Sequence, residues 1–368
     1  YAIGMAIYSV IQMLLLSCAF SATLFYMTKI KTPKWLMLLF LLIYIFLPTN
    51  AIMSFSSTKD IIFTAFFIFV SLLLLQMADN PEIIEKFKFC FVFGLCFFFN
   101  IIFRSSGIYV FIFSSVVGLL IFRKKIKKLS VVILFILAVF VIYSGPISKS
   151  LHAVKYDSIH EMLSVPIMQL SRAATFDSQK ISSKQKRKIS MYIPTYYIYS
   201  NGTSEGISDG MKNTFNSALF KKSPTAFLKL WFDIGRKEPL ASIDAFARLT
   251  IGYWYPDMTY RDPQAYHPYW VYNMKFQKST VGNGWLLVQR HTPKMMKWLN
   301  NFYENLTYEN NYQKVPVISM AFSSGIVIWM VLLYLAFCIY KRAYKYLYFG
   351  SFLLGTWLIL ILGPVVLY

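Results

Sequence analysis

The 368 residues are 57% hydrophobic and only 14% charged, with a net charge of +21. Soluble domains carry about a quarter charged residues, so this composition excludes the two soluble domains that the length alone would suggest. Fifteen basic residues flank or punctuate apolar runs, while residues 146–314 hold 22 basic and 12 acidic residues, a balance of +10. That distribution argues against duplex nucleic acid and fits anionic lipid head groups or phosphate-bearing substrates beside a membrane.

Taken in chain order, apolar runs near 5–27, 35–55, 60–78, 87–103, 105–122, 129–145, 315–340 and 347–368 approach the ~20 residues a helix needs to cross a bilayer. The run at 87–103 is short, and 35–55 carries Pro48 near one end. The fold class expected is therefore an all-α polytopic membrane protein with about eight spans. A bundle of six helices occupies 1–145, a mainly helical segment occupies 146–314, and spans seven and eight follow in 315–368. Basic residues cluster in alternate loops: Lys29, Lys31 and Lys34; Lys86 and Lys88; Arg123, Lys124, Lys125, Lys127 and Lys128; Lys341, Arg342 and Lys345. The bias of such residues toward the cytoplasm places 146–314 outside the cell membrane. The four cysteines lie in apolar runs and read as buried small hydrophobes.

Within 146–314, helix-like stretches occur at 159–175 and, strongly basic and either solvated or lipid-facing, at 180–189. Ser223-Pro224 pairs an N-cap with proline at the first helical position and predicts a helix over 226–236. Residues 242–253 place Ile243, Phe246, Leu249 and Tyr253 on one helical face. Thr292-Pro293 repeats the cap signature before a helix over 294–303. Between them, 252–284 is rich in Trp, Tyr, Pro and Gly and reads as a loop or lid at the membrane interface.

Soluble-enzyme motifs are absent: no Gly-rich phosphate loop, zinc pattern or nucleophile elbow. Charges near the bilayer are more informative. Thr58-Lys59-Asp60 stands at the outer mouth of the third run, and Arg104 lies between the fourth and fifth. They are snorkelling loop residues or they line one cavity, where Lys59 and Arg104 would hold a phosphate. Gln169 and Arg172 are neighbours on a helix face, Ser208 and Asp209 open a helix that includes Lys212, and Asp257 and His267 in the aromatic loop are candidate acceptor contacts.

Thr58-Lys59-Asp60, Arg104-x-x-Gly107-x-Tyr109, Pro166-x-x-Gln169-x-x-Arg172, Ser208-Asp209-x-x-Lys212 and Gly252-Tyr253-Trp254-Tyr255-Pro256 recur in this order in a group of bacterial, mainly Gram-positive, polytopic proteins. Through them the chain resembles the GT-C class of membrane glycosyltransferases, which includes protein mannosyltransferases and the lipid A aminoarabinose transferase. The resemblance implies transfer of a sugar from a polyprenyl-phosphate carrier to a cell-envelope glycan or lipid acceptor outside the membrane. Lys59, Arg104 and Arg172 then become carrier-phosphate residues, and Asp60, Gln169, Asp209 and Lys212 position the cavity. No cofactor is required by the resemblance, although some members use a divalent metal.

The class carries its catalytic carboxylate in the first outer loop. Here the chain opens at Tyr1, already at the outer face, and stops at Tyr368 within an apolar run, so both ends are expected to extend further. The base is expected upstream of Tyr1; otherwise it has been lost and the chain is no enzyme. The alternatives are a transporter or flippase for lipid-linked saccharides, or a non-catalytic binding protein in envelope assembly.

Overall fold

The computed structural model describes residues 2–47, 50, 54, 58–104, 106–152, 159–176, 180–199, 206, 208–257, 294–307, 311, 314–315, 318–321 and 323–362. Among these residues all regular structure is helical. The longer helices are α1 (Ala2–Lys29), α2 (Lys34–Phe46), α3 (Lys59–Asp79), α4 (Phe87–Phe103), α5 (Gly107–Ile121), α6 (Ile126–Ile142), α7 (Ser164–Thr175), α8 (Ser183–Tyr192), α9 (Pro224–Lys237), α10 (Pro239–Thr250), α11 (Lys297–Thr307), α12 (Ser324–Tyr340) and α13 (Leu347–Leu362).

Among the described residues, four helical stretches are long and apolar enough to cross a membrane: Ala6–Lys29, Lys59–Asp79, Arg123–Ser150 and Tyr344–Leu362. The other four predicted spans fall on shorter apolar helices, namely α2, α4, α5 and residues Gly325–Tyr340 of α12. Of the about eight spans expected, four thus reach spanning length among the described residues. At ~1.5 Å per residue, a 17-residue helix such as α4 rises only about 25 Å, less than the ~30 Å hydrocarbon layer. In the second predicted span, α2 ends at Phe46 because Leu47 turns extended just before Pro48. The seventh starts at Ser324 rather than 315, behind a separate turn at Ile318–Ala321. Conversely, α6 continues through a π turn at Tyr143–Ile147 that accommodates Pro146, which has no N–H to donate.

The chain forms two compact units, Tyr1–Ile62 with Thr259–Ser323 and Tyr368, and Phe63–Met258 with Ser324–Leu367. In the first, α1 packs on α2 through the stacked rings of Phe20 and Tyr44, 4.0 Å apart. Gln12 Nε2 donates to the Ser54 carbonyl at 2.6 Å and Tyr8 Oη donates to the Thr58 carbonyl at 3.1 Å.

The second unit contains two hydrophobic cores. One joins α3, α4, α5, α6 and α13 around aromatic rings, with Phe97 making edge contacts to Phe111 at 5.0 Å and Phe352 at 5.6 Å. Gly118 lies against the Tyr348 ring so closely that a Cβ there would stand 2.7 Å from it. The opposite faces of these helices stay apolar, and Val131, Leu134 and Phe135 on α6 are more than 60% exposed. Such a surface suits hydrocarbon rather than water. At one end of this bundle, Lys125 Nζ meets Glu82 and Glu85 at 2.5 and 3.1 Å, and Tyr346 Oη donates to Asp79 at 2.7 Å. Three of the four basic loops therefore meet at the same end.

The other core surrounds α7. Ile167, Met168, Leu170, Ala173 and Ala174 of α7 are enclosed by residues of α8, α9, α10 and the intervening turns. On α9, Pro224 occupies the first turn and Phe227, Leu230 and Ile234 recur at helical spacing to face inward. Burying each such large side chain contributes about 1.5–3 kcal/mol. Ser223 precedes α9 as expected, but its side chain makes no capping bond. On α10 the inward positions are Ala241, Ala245 and Leu249, whereas Ile243 is 64% exposed. Leu249 and Tyr253 of the expected face are buried, but small alanines, not the larger Ile243, meet α7 beside them. The basic stretch forms α8, opened by a reciprocal capping box between Ser182 and Gln185. The predicted helix near 294–303 is a turn at Lys294–Met296 followed by α11.

Of the aromatic segment 252–284, residues up to 257 are described. Trp357 Nε1 of α13 donates to the Tyr253 carbonyl at 2.8 Å and Trp329 Nε1 of α12 donates to the Trp254 carbonyl at 2.9 Å. Gly325 is packed against the Tyr255 backbone, leaving no room for a Cβ. These contacts fasten the exit of α10 to the apolar helices.

Candidate functional site

The polar residues singled out around 164–212 gather on and beside α7, which its own core holds rigidly. Gln169 and Arg172 lie one helical turn apart and both engage α10. Gln169 Nε2 donates to the Ser242 carbonyl at 3.1 Å, and its Oε1 accepts from Trp231 Nε1 of α9 at 2.7 Å. Arg172 Nε donates to Asp244 Oδ2 at 2.6 Å, and its guanidinium lies 5.6 Å from the Phe176 ring centre.

Asp244 also accepts from Arg248 Nε, at 2.8 Å to Oδ1 and 2.9 Å to Oδ2. Burial alone would raise the Asp244 carboxyl, but the two guanidiniums outweigh it and hold its pKa below the ordinary value. Asp244 thus holds two guanidiniums in one cluster. Arg248 is 44% exposed at its side chain.

The second cluster centres on Lys212. Its ammonium, 6% exposed, meets Asp209 Oδ1 at 2.7 Å and Glu161 Oε2 at 2.9 Å. Burial would lower the Lys212 pKa, yet these two carboxylates together raise it above the ordinary lysine value. Both carboxylates remain partly exposed, and His160 Nε2 lies 3.6 Å from Glu161. Ser208 makes no side-chain cap to the short helix Asp209–Asn213; Asp209 is instead an ion-pair partner. Gly206, at φ +82°, sits 2.6 Å (as a built Cβ) from the Arg248 carbonyl, a place that only glycine fits. The segment leading to Asp209 and Lys212 therefore starts against the last turn of α10, beside Arg248.

The remaining candidates lie elsewhere. Lys59 and Asp60 are exposed and begin α3, where an acid in the first turn favours the helix N-terminus. They belong to the first unit, while Arg104 belongs to the second. Arg104 follows α4 with its guanidinium 5.5 Å from the Phe63 ring, and its carbonyl accepts from Gly107 N at 2.7 Å in a tight turn into α5. Asp257 is exposed beyond the docked aromatic turn, and His267 lies outside the described residues. Among the described residues no three His, Cys, Asp or Glu side chains converge as a metal-binding group.

Sequence reading missed Glu161, Asp244 and Arg248. For Asp244 and Arg248 a local signal existed, an acid four residues before a base on a predicted helix. Residues 1–366 match the model of a family described as a family of unknown function (DUF6020). No curated protein and no solved structure matches the chain.

Proposed function

The chain belongs to the DUF6020 family, and from that footing we propose that it is a membrane glycosyltransferase moving a sugar from a polyprenyl-phosphate carrier to an extracytoplasmic cell-envelope acceptor. The observation that carries this reading is the Arg172–Asp244–Arg248 cluster. It is a partly exposed pair of guanidiniums sharing one carboxylate on a helical core, and that core is fastened by Tyr253 and Trp254 to apolar helices. A departing lipid phosphate gains negative charge, and cations fixed in place beforehand stabilise it without reorganising. Gln169 and Lys212 act as positioning residues, the first by tying α7 to α9 and α10, the second by fixing Glu161 and Asp209.

On this reading the chain crosses the cell membrane eight times, with 146–314 outside. The gathering of three basic loops at one end of the second unit supports that topology, as does the attachment of the 159–253 segment near Ser324 and Leu362. Helices shorter than the bilayer are accommodated by local thinning and snorkelling of flanking residues. Arg104 is a further phosphate ligand in the proposal.

The test is a sugar-transfer assay with the full-length protein in proteoliposomes, supplied with polyprenyl-phosphate sugars and an envelope acceptor fraction. Transfer that disappears in Arg104→Ala is expected. Carrier binding without any transfer by the unmodified protein would instead favour a translocation or binding role, and full turnover by Arg104→Ala would remove that residue from the phosphate site.

A further inference from the structure

Residues 180–237 contain eleven Lys or Arg and three Asp or Glu. The structure arranges most of those cations on one layer. Helix α8 lies beside α9, with Lys237 Nζ donating to Gln185 Oε1 at 3.1 Å. At its other end, Asn216 N donates to the Tyr192 carbonyl at 2.8 Å, which seats the short helix Ser217–Lys222 next to α8. Ile189, Tyr192 and Phe227 turn inward, Tyr192 and Phe227 meeting edge to face at 5.0 Å. The opposite sides of these helices carry Lys184, Arg187, Lys188, Lys221, Lys222, Lys229 and Arg236, all exposed.

The same sides expose apolar residues among the cations. Met191 of α8 and Leu228 and Phe232 of α9 are exposed, and the Arg236 guanidinium rests 5.8 Å from the Phe232 ring centre. On a helical wheel Leu228, Lys229, Phe232 and Arg236 share the face of α9 opposite Phe227, Leu230 and Ile234. Asp233 is the exposed acid of α9. A layer meant only for water would not need Phe232 and Leu228 there. A layer meant for a soluble polyanion would need cations alone. Cations interleaved with Leu, Met and Phe are the composition of a surface that lies in the head-group region of an anionic bilayer.

A bilayer is also close by. The segment is continuous with the apolar helix stretch 123–150 on one side, and Tyr253 and Trp254 are bonded to α12 and α13 on the other. Such tethering keeps lipid head groups at high effective concentration, so weak individual contacts suffice. We propose that the outward layer of α8, the Ser217–Lys222 helix and α9 is a docking surface for anionic phospholipid head groups. The cations take the phosphates, and Met191, Leu228 and Phe232 enter the acyl boundary. Docking would hold the Arg172–Asp244–Arg248 cluster at a fixed height over the membrane. The proposal itself stands on the membrane reading and not on glycosyl transfer.

The experiment is amide hydrogen exchange on the full-length protein in nanodiscs of pure phosphatidylcholine and in nanodiscs with one third phosphatidylglycerol. Exchange across 183–192 and 224–237 should slow by roughly fivefold or more in the anionic discs, the scale of one lysine–lipid contact, while 164–175 is unchanged. The triple variant Lys184→Gln/Arg187→Gln/Lys188→Gln should lose the protection of 183–192, and Phe232→Ser that of 224–237, each with 164–175 still protected as a check on folding. Equal exchange in both disc types overturns the proposal. So does protection that appears in phosphatidylcholine discs on adding soluble polyphosphate but is absent with phosphatidylglycerol, because the face would then serve a soluble polyanion.

Discussion

Asp244 shows how a single carboxylate sets both the charge and the pH response of the site. Its pKa is held down by Arg248 and Arg172 against the opposing effect of burial. A depressed carboxyl contributes stability that is complete above its unfolded pKa, near 4, and is lost as pH falls through the lower folded value. Asp244→Asn should therefore lower thermal stability of the detergent-solubilised protein at pH 7 by about 1–3 kcal/mol. The deficit should shrink as pH falls below about 4 and vanish only below the lowered folded pKa, where the unmodified residue is also protonated. A deficit that stays constant down to pH 3 would show that packing, not charge, is what Asp244 supplies. Gln169, Arg172, Asp209 and Lys212 were legible as a polar set in the sequence. Their partners were not, because Arg172 and Asp244 are 72 residues apart and Lys212 and Glu161 are 51 apart. No local spacing encodes those pairs.

Between elements, the contact that matters most for the site is α7 against α10, since it brings Arg172 to Asp244. Ala241 and Ala245 are fully buried there, and their lack of bulk lets the two helices approach. Ala245→Leu should force the helices apart and cost about 1–3 kcal/mol through overpacking. Ile243→Ala, at an exposed position, should change stability by no more than about 0.5 kcal/mol. Thermal unfolding of the two variants separates them, and the reverse order would mean that α10 is rotated from the arrangement described. The sequence pattern favoured Ile243 because periodicity is read from the largest apolar side chains, whereas close helix contacts select the smallest. The helices themselves were legible: α4 was expected over 87–103 and spans Phe87–Phe103. The cap of α8 was hidden in a run chosen for its charge.

For the whole molecule, apolar runs made the helical, membrane-suited character plain, but run length overstated span length wherever a proline or an extended residue ended a helix early, as at Leu47. Basic loops foretold an arrangement in which Asp79, Glu82, Lys125 and Tyr346 meet at one end. The bonds from Trp329 and Trp357 to the Tyr253–Trp254 backbone had no counterpart in any pattern, since indole donors to distant carbonyls leave no spacing signature. Those bonds make the helical core and the apolar helices of the second unit a single mechanical assembly, and in our proposal the arginine cluster is the feature that a lipid phosphate meets. The measurement that tests this most directly is equilibrium binding of polyprenyl phosphate, with polyprenol as control, to the full-length protein and to Arg248→Gln. That substitution leaves the Arg172–Asp244 pair in place, so folding is preserved while one guanidinium is lost. Selective binding of the phosphate, weakened roughly 10- to 100-fold in the variant, is predicted from the 1.5–3 kcal/mol of a charge-assisted contact. Equal affinity of the two proteins, or no preference for the phosphate over the alcohol, would contradict the account.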